Sequence, residues 1–398
     1  MPTTIATVVN DDGYRVPATA FPATTFETWI SGTNYLCLTD DDLHTYPPPT
    51  SPRSSITSAL SGSSVTVTAD YFGQHIQIPA NYAEGLARVP FTLARSHDSG
   101  GSGGLRWHTL NPSNGTWVWT NADGWVDAME AAGKEMMILL GFTPNWAASS
   151  TPNTGKYDNG TTVRASNQPP SDMAYWQEYC SQVATRYAGR VKYYEIWNEV
   201  NYTSYWAGTA AQLAQMHRIA YQTIKAIDPA ALIVGPIVQE PETGGTGNAY
   251  LQSFLAASDG ATGTGKDWID ICGIHMYPPV YNFQIHRSQV TNVQASLTAA
   301  GVGSLDIWNT EAGVLTARSI SDEVQSKWLK RSLLLAAALG VKRYCWYSYD
   351  NDEMGMTDLD VAAWHEVRTA LLSGPITGCN IAPDGRVAAT INGVNYIY

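Results

Sequence analysis

The chain has 398 residues, 44% hydrophobic and 15% charged, with a formal net charge of −12. It is too long for one small module and too apolar for a disordered chain, and its acidity suits neither a phosphate backbone nor an anionic membrane surface as partner. The 14 Trp and 22 Tyr against 7 Phe put the aromatic excess in rings with a polar edge, which fill cores and also suit wet surfaces for flat, hydroxylated ligands.

In chain order, Met1–Arg15 has neither a basic nor a long apolar segment, so it does not read as a signal peptide. No stretch approaches the roughly 18 apolar residues of a membrane span, so no membrane insertion is expected. Residues 1–70 are rich in Thr, Ser and Pro. They carry β-like runs at Ile5–Val9 and Ser64–Thr68 and a loop at Pro47–Pro52, and read as a β-rich N-terminal extension.

From residue 71 short apolar runs alternate with longer amphipathic ones. The expected strands are Tyr71–Gln77, Phe91–Ser96, Met136–Gly141, Tyr193–Asn198, Leu232–Pro236, Ile269–His275, Leu305–Thr310 and Lys342–Ser348. Helices are expected over Asn121–Ala132, Asp172–Tyr187, Thr209–Ile227, Tyr250–Ser258, Gln289–Ala300 and Ser321–Leu339. Eight strands alternating with helices predict an α/β fold, a (β/α)8 TIM barrel over residues 71–374. A doubly wound sheet would need fewer strands and a phosphate loop. Ser99–Gly104 lacks the G-x-G-x-x-G spacing, and Gly260–Lys266 is followed by Asp267 and preceded by no strand, so no nucleotide is expected. Residues 375–398 read as one β-hairpin with turn signals Pro383-Asp384-Gly385 and Asn392-Gly393, able to pair with the N-terminal extension.

Cys37, Cys180, Cys272, Cys345 and Cys379 form no C-x-x-C pair, which excludes zinc ribbons and dithiol redox motifs. Cys272 and Cys345 read as small buried hydrophobes, and a Cys37–Cys379 bridge stays open.

The chemistry concentrates at two strand ends. Tyr193–Asn201 contains Trp197-Asn198-Glu199, and three strands later Leu305–Gly313 contains Trp308-Asn309-Thr310-Glu311. In a barrel the C-terminal strand ends converge on one pit. Two carboxylates in one cleft are the minimum apparatus for splitting a glycosidic bond. Either Glu alone could be a solvated strand-end residue; the pair at strands four and seven is what points to catalysis. Strict alternation forbids Asn198 and Glu199 from both pointing inward, so a bulge or an early strand end is expected there.

At these residues the chain resembles clan A glycoside hydrolases, retaining enzymes on a (β/α)8 barrel. The finer likeness is to glycoside hydrolase family 39 and its endo-acting relatives. It rests on Glu195–Asn201, Ala94–Asp98, the run from Trp107 through Asn111-Pro112, Gly115 and Trp119 to Asp123, and Thr143–Trp146. The resemblance makes Glu199 the acid/base, Glu311 the nucleophile and Asn198 the holder of the sugar 2-hydroxyl. It makes Arg95 and Tyr277 supports of the nucleophile and Trp346 the floor under the sugar. Arg95 could equally serve a structural ion pair with Glu195, itself read as barrel interior. His275 is a candidate sugar contact or a filler of the barrel top, and His97 and His75 are weaker candidates that read first as satisfied polar residues. Trp107, Trp146, Trp206, Trp308 and Tyr281 are candidate stacking rings. Two features depart from family 39: Val200 replaces the usual Pro, and only a short segment follows the barrel, unlike the exo-acting β-xylosidases.

The resemblance implies a retaining endo-glycosidase acting on a polysaccharide or oligosaccharide, expected to be a bacterial exopolysaccharide. It implies an extracellular or periplasmic monomer with no metal, no cofactor and no nucleic-acid partner. An exo-acting β-glycosidase such as a β-xylosidase is the alternative, with a carbohydrate-binding or phage-tail module beyond it. Retention sets the two carboxylates about 5–5.5 Å apart.

Overall fold

The computed structural model describes residues 7–9, 15–17, 57–58, 60, 62, 64–101, 104–241, 244–277, 283–314, 321–351, 354–381 and 386–398. Eight strands come in the expected order: β1 Phe72–Gln74, β2 Leu93–Arg95, β3 Glu135–Leu140, β4 Tyr193–Ile196, β5 Leu232–Val234, β6 Ile271–His275, β7 Asp306–Ala312 and β8 Arg343–Trp346. Each pairs in parallel with the next. Tyr344 opposite Phe72 then pairs β8 with β1 and closes a (β/α)8 barrel. A two-residue strand, Val238–Gln239, continues past β5 and pairs with the end of β6.

The helices are α1 Tyr82–Arg88, α2 Trp107–Leu110, α3 Thr120–Ala131, α4 Met173–Tyr187, α5 Ala210–Ile227, α6 Gly247–Ala256, α7 Phe283–Ala299, α8 Asp322–Ala338 and α9 Asp358–Leu372. Three expected starts coincide with caps. Asp172 accepts from the Ala174 amide, Thr209 forms a capping box with Gln212, and Ser321 accepts from the Val324 amide. Such caps satisfy amides that the first turn leaves without partners.

The core has two layers. Leu93, Met137, Tyr193, Val234, Ile237, Ile271, Trp308 and Cys345 fill the barrel interior, while the larger cluster lies between sheet and helices. Gly73 allows β1 to approach β8: a Cβ there would meet Cys345 Sγ at 2.4 Å.

The tail departs from the expected single hairpin. It forms three antiparallel strands, β9 Ile376–Ile381, β10 Val387–Ile391 and β11 Val394–Ile397. Asn392 and Gly393, with φ of 49° and 77°, make the turn their sequence predicts; Pro383-Asp384-Gly385 lies outside the described residues. β9 also pairs with Thr57–Ser58 and bridges to Val65, so tail and extension do meet there. Of the expected Ser64–Thr68 strand only Val65 makes this bridge, and Thr7–Val9 pairs with Arg15–Pro17. Pro47–Pro52, Cys37 and Tyr281 lie outside the described residues. Cys180, Cys272, Cys345 and Cys379 are buried free thiols. Among the described residues no helix is long and apolar enough to cross a membrane.

Candidate active site

Side chains alternate along a strand. On β4, Tyr193 faces the barrel interior and Tyr194 and Ile196 face the helices. Glu195 also faces inward, where Arg95 of β2 donates to it at 2.6 Å. Trp197 would come next into the interior, but the strand ends at Ile196 and Trp197 takes φ 64°. Its ring turns outward against Trp176 and Trp206 instead, and its indole donates to the Tyr205 carbonyl. Glu199 also takes a positive φ, 43°. Left-handed backbone at a residue with a side chain costs about 1–2 kcal/mol, which the buried Trp197 ring helps to offset. The result brings Asn198 and Glu199 both to the axis, as the sequence required.

β7 meets the same difficulty, which the sequence reading did not notice. Trp308 and Glu311 are three residues apart, so a regular strand would point them to opposite faces. The ladder with β6 slips there, with Ile274 opposite Asn309 but His275 opposite Glu311, and the ladder with β8 slips between Asn309 and Ala312. This bulge at Thr310 turns Glu311 inward.

Arg95, wholly buried, organises what converges. Beyond Glu195 it donates to Glu311 Oε2 at 2.6 Å and to Asn198 Oδ1 at 2.9 Å. Glu311 Oε2 also meets His97 Nδ1 at 3.0 Å, and Glu311 Oε1 accepts from the Tyr277 hydroxyl at 2.6 Å. Glu199 Oε1 lies 2.8 Å from His275 Nδ1. Asn198 Nδ2 and His275 Nε2 are buried without a protein partner.

The two carboxylates are pushed apart in acidity. Burial alone would raise Glu311, but the neighbouring His275, the His97 hydrogen bond and the Arg95 guanidinium together hold it well below the usual carboxylate range. Burial also keeps His275 neutral, so the lasting charge on Glu311 is that of Arg95. Burial raises Glu199 well above that range, and the charge of Glu311 adds to it. Burial and the neighbouring Glu311 likewise keep the Tyr277 phenol protonated.

Of the ten residues expected at the site, Arg95, His97, Asn198, Glu199, His275, Tyr277 and Glu311 come together. Three tryptophans do not. Trp346 faces outward into the layer under the helices, because Cys345 before it faces in; the ring at the β8 end that meets His75 and His97 is Tyr347. Trp308 plugs the barrel interior, edge-on to Tyr193 and beneath the Arg343 guanidinium, too low to meet a ligand. Trp146 donates to the Asn111 carbonyl and packs on Trp107 and Tyr175. The stacking candidates Trp107 and Trp206 are also core residues, at 0% and 2% exposure.

The rings around the carboxylates are tyrosines that the sequence reading missed. Tyr347 donates to Asp98 Oδ2 at 2.8 Å and lies over His75. Tyr157, from the loop after β3, meets His97 Nε2 at 2.7 Å, packs near Tyr205 and lies under the Arg106 guanidinium. Period-two counting from Cys345 would have found Tyr347; nothing local in the sequence marks Tyr157. Gln239, whose amide reaches the Glu199 carboxyl, was also missed.

Oxygens of Glu199 and Glu311 and a ring nitrogen of His275 all lie within 4.8 Å of one another, a spacing that could bracket a cation. The donors argue otherwise: Glu311 Oε2 already accepts from Arg95 and His97, and a second cation would sit against the guanidinium.

Comparison with known proteins places this geometry. Over 193 residues the chain is 26% identical to a curated β-xylosidase from Caldicellulosiruptor saccharolyticus, covering 46% of this chain and 35% of that protein. The match therefore spans about a third of that relative's length. A glucosidase from Croceicoccus marinus shares the fold at 16% identity, with a TM-score of 0.59 over 82% of this chain and 72% of that one. A family 39 glycoside hydrolase from Bacteroides cellulosilyticus does so at 18% identity, with a TM-score of 0.59 over 83% of this chain and 70% of the other. A family model described as the glycosyl hydrolase catalytic core matches residues 145–363. That is more than half of the chain and includes both site glutamates, so the chain belongs to the glycosyl hydrolase catalytic core family.

Proposed function

We propose that this glycoside hydrolase retains configuration, with Glu311 as nucleophile and Glu199 as acid/base. One observation carries the reading: two buried carboxylates with oxygens within 4.8 Å, one held ionised and the other held protonated. That bound lies just below the roughly 5–5.5 Å of retaining pairs and well short of the roughly 6.5–9.5 Å of inverting ones. Glu311 attacks the anomeric carbon and forms a covalent glycosyl-enzyme. Glu199 protonates the departing oxygen, then takes a proton from the incoming water. Tyr277 and Arg95 hold the Glu311 carboxylate by one oxygen each, and the unpartnered Asn198 Nδ2 is the donor for the sugar 2-hydroxyl.

The proposed substrate is a polysaccharide, cut internally, of the bacterial exopolysaccharide class; the enzyme works outside the cytoplasm. This follows the likeness to endo-acting relatives of family 39. A second reading, an exo-acting β-glycosidase, is favoured by the β-xylosidase relative and by the burial of Trp107, Trp206 and Trp308.

The test uses two variants on aryl glycosides. Glu311→Gln loses turnover on every substrate. Glu199→Gln slows glycosylation about 10²–10⁴-fold where the leaving group needs protonation and little where it does not, and in the second case the glycosyl-enzyme accumulates because no base activates water. Azide then restores turnover in the Glu199 variant and gives a glycosyl azide of retained configuration. Equal loss on all leaving groups, with no azide effect, overturns the assignment. Product sizing by mass spectrometry decides between the two substrate readings: oligosaccharides for internal cleavage, monosaccharides alone for exo action.

A further inference from the structure

Arg95 is wholly buried and holds two carboxylates with separate nitrogens. Its Nε donates to Glu195 Oε2 and its Nη1 to Glu311 Oε2, both at 2.6 Å, while Nη2 donates to Asn198 Oδ1 at 2.9 Å. Glu195 is wholly buried too. One carboxylate is enough to balance one guanidinium. The proposed mechanism, on which this inference rests, accounts for the second.

In glycosylation an oxygen of Glu311 bonds to the anomeric carbon, the bond from that carbon to the leaving oxygen breaks, and the Glu199 proton goes to the leaving oxygen. Glu311 changes from an anion to a neutral ester, and Glu199 from a neutral acid to an anion. The net charge of the site is unchanged, but its position moves. The anion leaves a carboxyl that Arg95 touches and appears on one that faces His275 and Gln239 instead. Without Glu195, Arg95 would keep only neutral acceptors, the ester and Asn198. A buried charge stripped of its partner is strongly destabilised, and an arginine cannot shed its proton to escape.

We propose that Glu195 is a positioning residue, the standing counter-ion of Arg95, which lets Glu311 give up its charge to the sugar without leaving the guanidinium unpaired. Burial raises the Glu195 carboxyl, and the charge and hydrogen bond of Arg95 oppose that rise. His97, the Thr310 hydroxyl and the Cys345 thiol also lie near Glu195, but of these groups only Arg95 is a permanent cation. The balance gives each chemical step a direction. With the Glu195 charge removed, Arg95 favours the Glu311 anion more strongly and the ester less. Forming the glycosyl-enzyme becomes harder and breaking it becomes easier, whereas a simple loss of packing would slow both steps.

The test compares the two steps in Glu195→Gln, which keeps the shape and an acceptor for Arg95 Nε and removes the charge. Rapid mixing with a dinitrophenyl glycoside that the unaltered enzyme hydrolyses reports glycosylation, as release of the first equivalent of dinitrophenolate. The return of activity after trapping with a fluorinated glycoside reports deglycosylation. Glycosylation should slow about 10–100-fold, the size of a lost interaction with a charged group. Reactivation should be as fast as in the unaltered enzyme or faster, and KM for the dinitrophenyl glycoside should rise because less glycosyl-enzyme accumulates. Equal slowing of both steps, or an unchanged glycosylation rate, overturns the inference. A crystal structure of the unaltered enzyme in its trapped form is a check that does not depend on how the variant folds. Arg95 Nε should still meet Glu195 Oε2 at hydrogen-bond distance; a guanidinium turned to Glu199 instead would make Glu199 the counter-ion and overturn the inference. Failure of the catalytic reading shows separately, as a label on some residue other than Glu311 or as absence of azide rescue in Glu199→Gln.

Discussion

Glu199 and Glu311 carry the same side chain, and only their surroundings separate them. Tyr277 is the neutral donor in that contrast, giving its proton to Glu311 Oε1 at 2.6 Å. Tyr277→Phe removes the bond and leaves the carboxylate less favoured as an anion. The acid limb of kcat/KM, which reports Glu311 ionisation, should move to higher pH, and the rate at its optimum should fall about 10–100-fold. A pH–rate profile on one aryl glycoside checks both; an unmoved acid limb would remove Tyr277 from the support of Glu311. At this scale the sequence was most legible. Arg95, Asn198 and Tyr277 sit at strand ends, where topology alone directs them to the pit. Tyr157 was illegible because a loop path brings it in, and Gln239 because the two-residue strand that carries it is too short to read from spacing along the chain.

At the level of strands, the eight apolar runs were readable because β-branched and aromatic residues cluster between turn signals. Their ends were not. β4 stops before the run does, and β7 continues through Glu311 with a bulge, because an odd spacing of needed side chains overrides regular pairing. Ignoring period two is also what placed Trp346 in the cleft, and ignoring depth along the barrel axis is what placed Trp308 there. The correction can be measured. Trp308→Ala empties the barrel interior and should cost about 3–5 kcal/mol of stability, while KM for any substrate stays within about twofold, since surface-free core changes seldom reach a site well above them. A large KM effect with an unchanged melting temperature would return Trp308 to the binding surface.

For the whole molecule, the site is a source of pH-dependent instability. Glu199 has its folded pKa raised, so its contribution is fully present below about 4.5 and is lost as pH rises through the raised value. Glu311 has a depressed folded pKa and contributes above that same range, losing its share as pH falls. Glu199→Gln removes the alkaline loss. Its melting temperature should exceed that of the unaltered enzyme at pH 8 and converge with it near pH 4. A difference that does not change between these pH values would mean that Glu199 is not strained by ionisation. The barrel closure has a consequence in time. β1 finds its second neighbour only when Arg343–Trp346 has been made, and Thr57–Ser58 waits longer still for Ile376–Ile381. A growing chain therefore carries an open sheet edge through most of its synthesis. Its folding should be slow and depend on protection of that edge by chaperones.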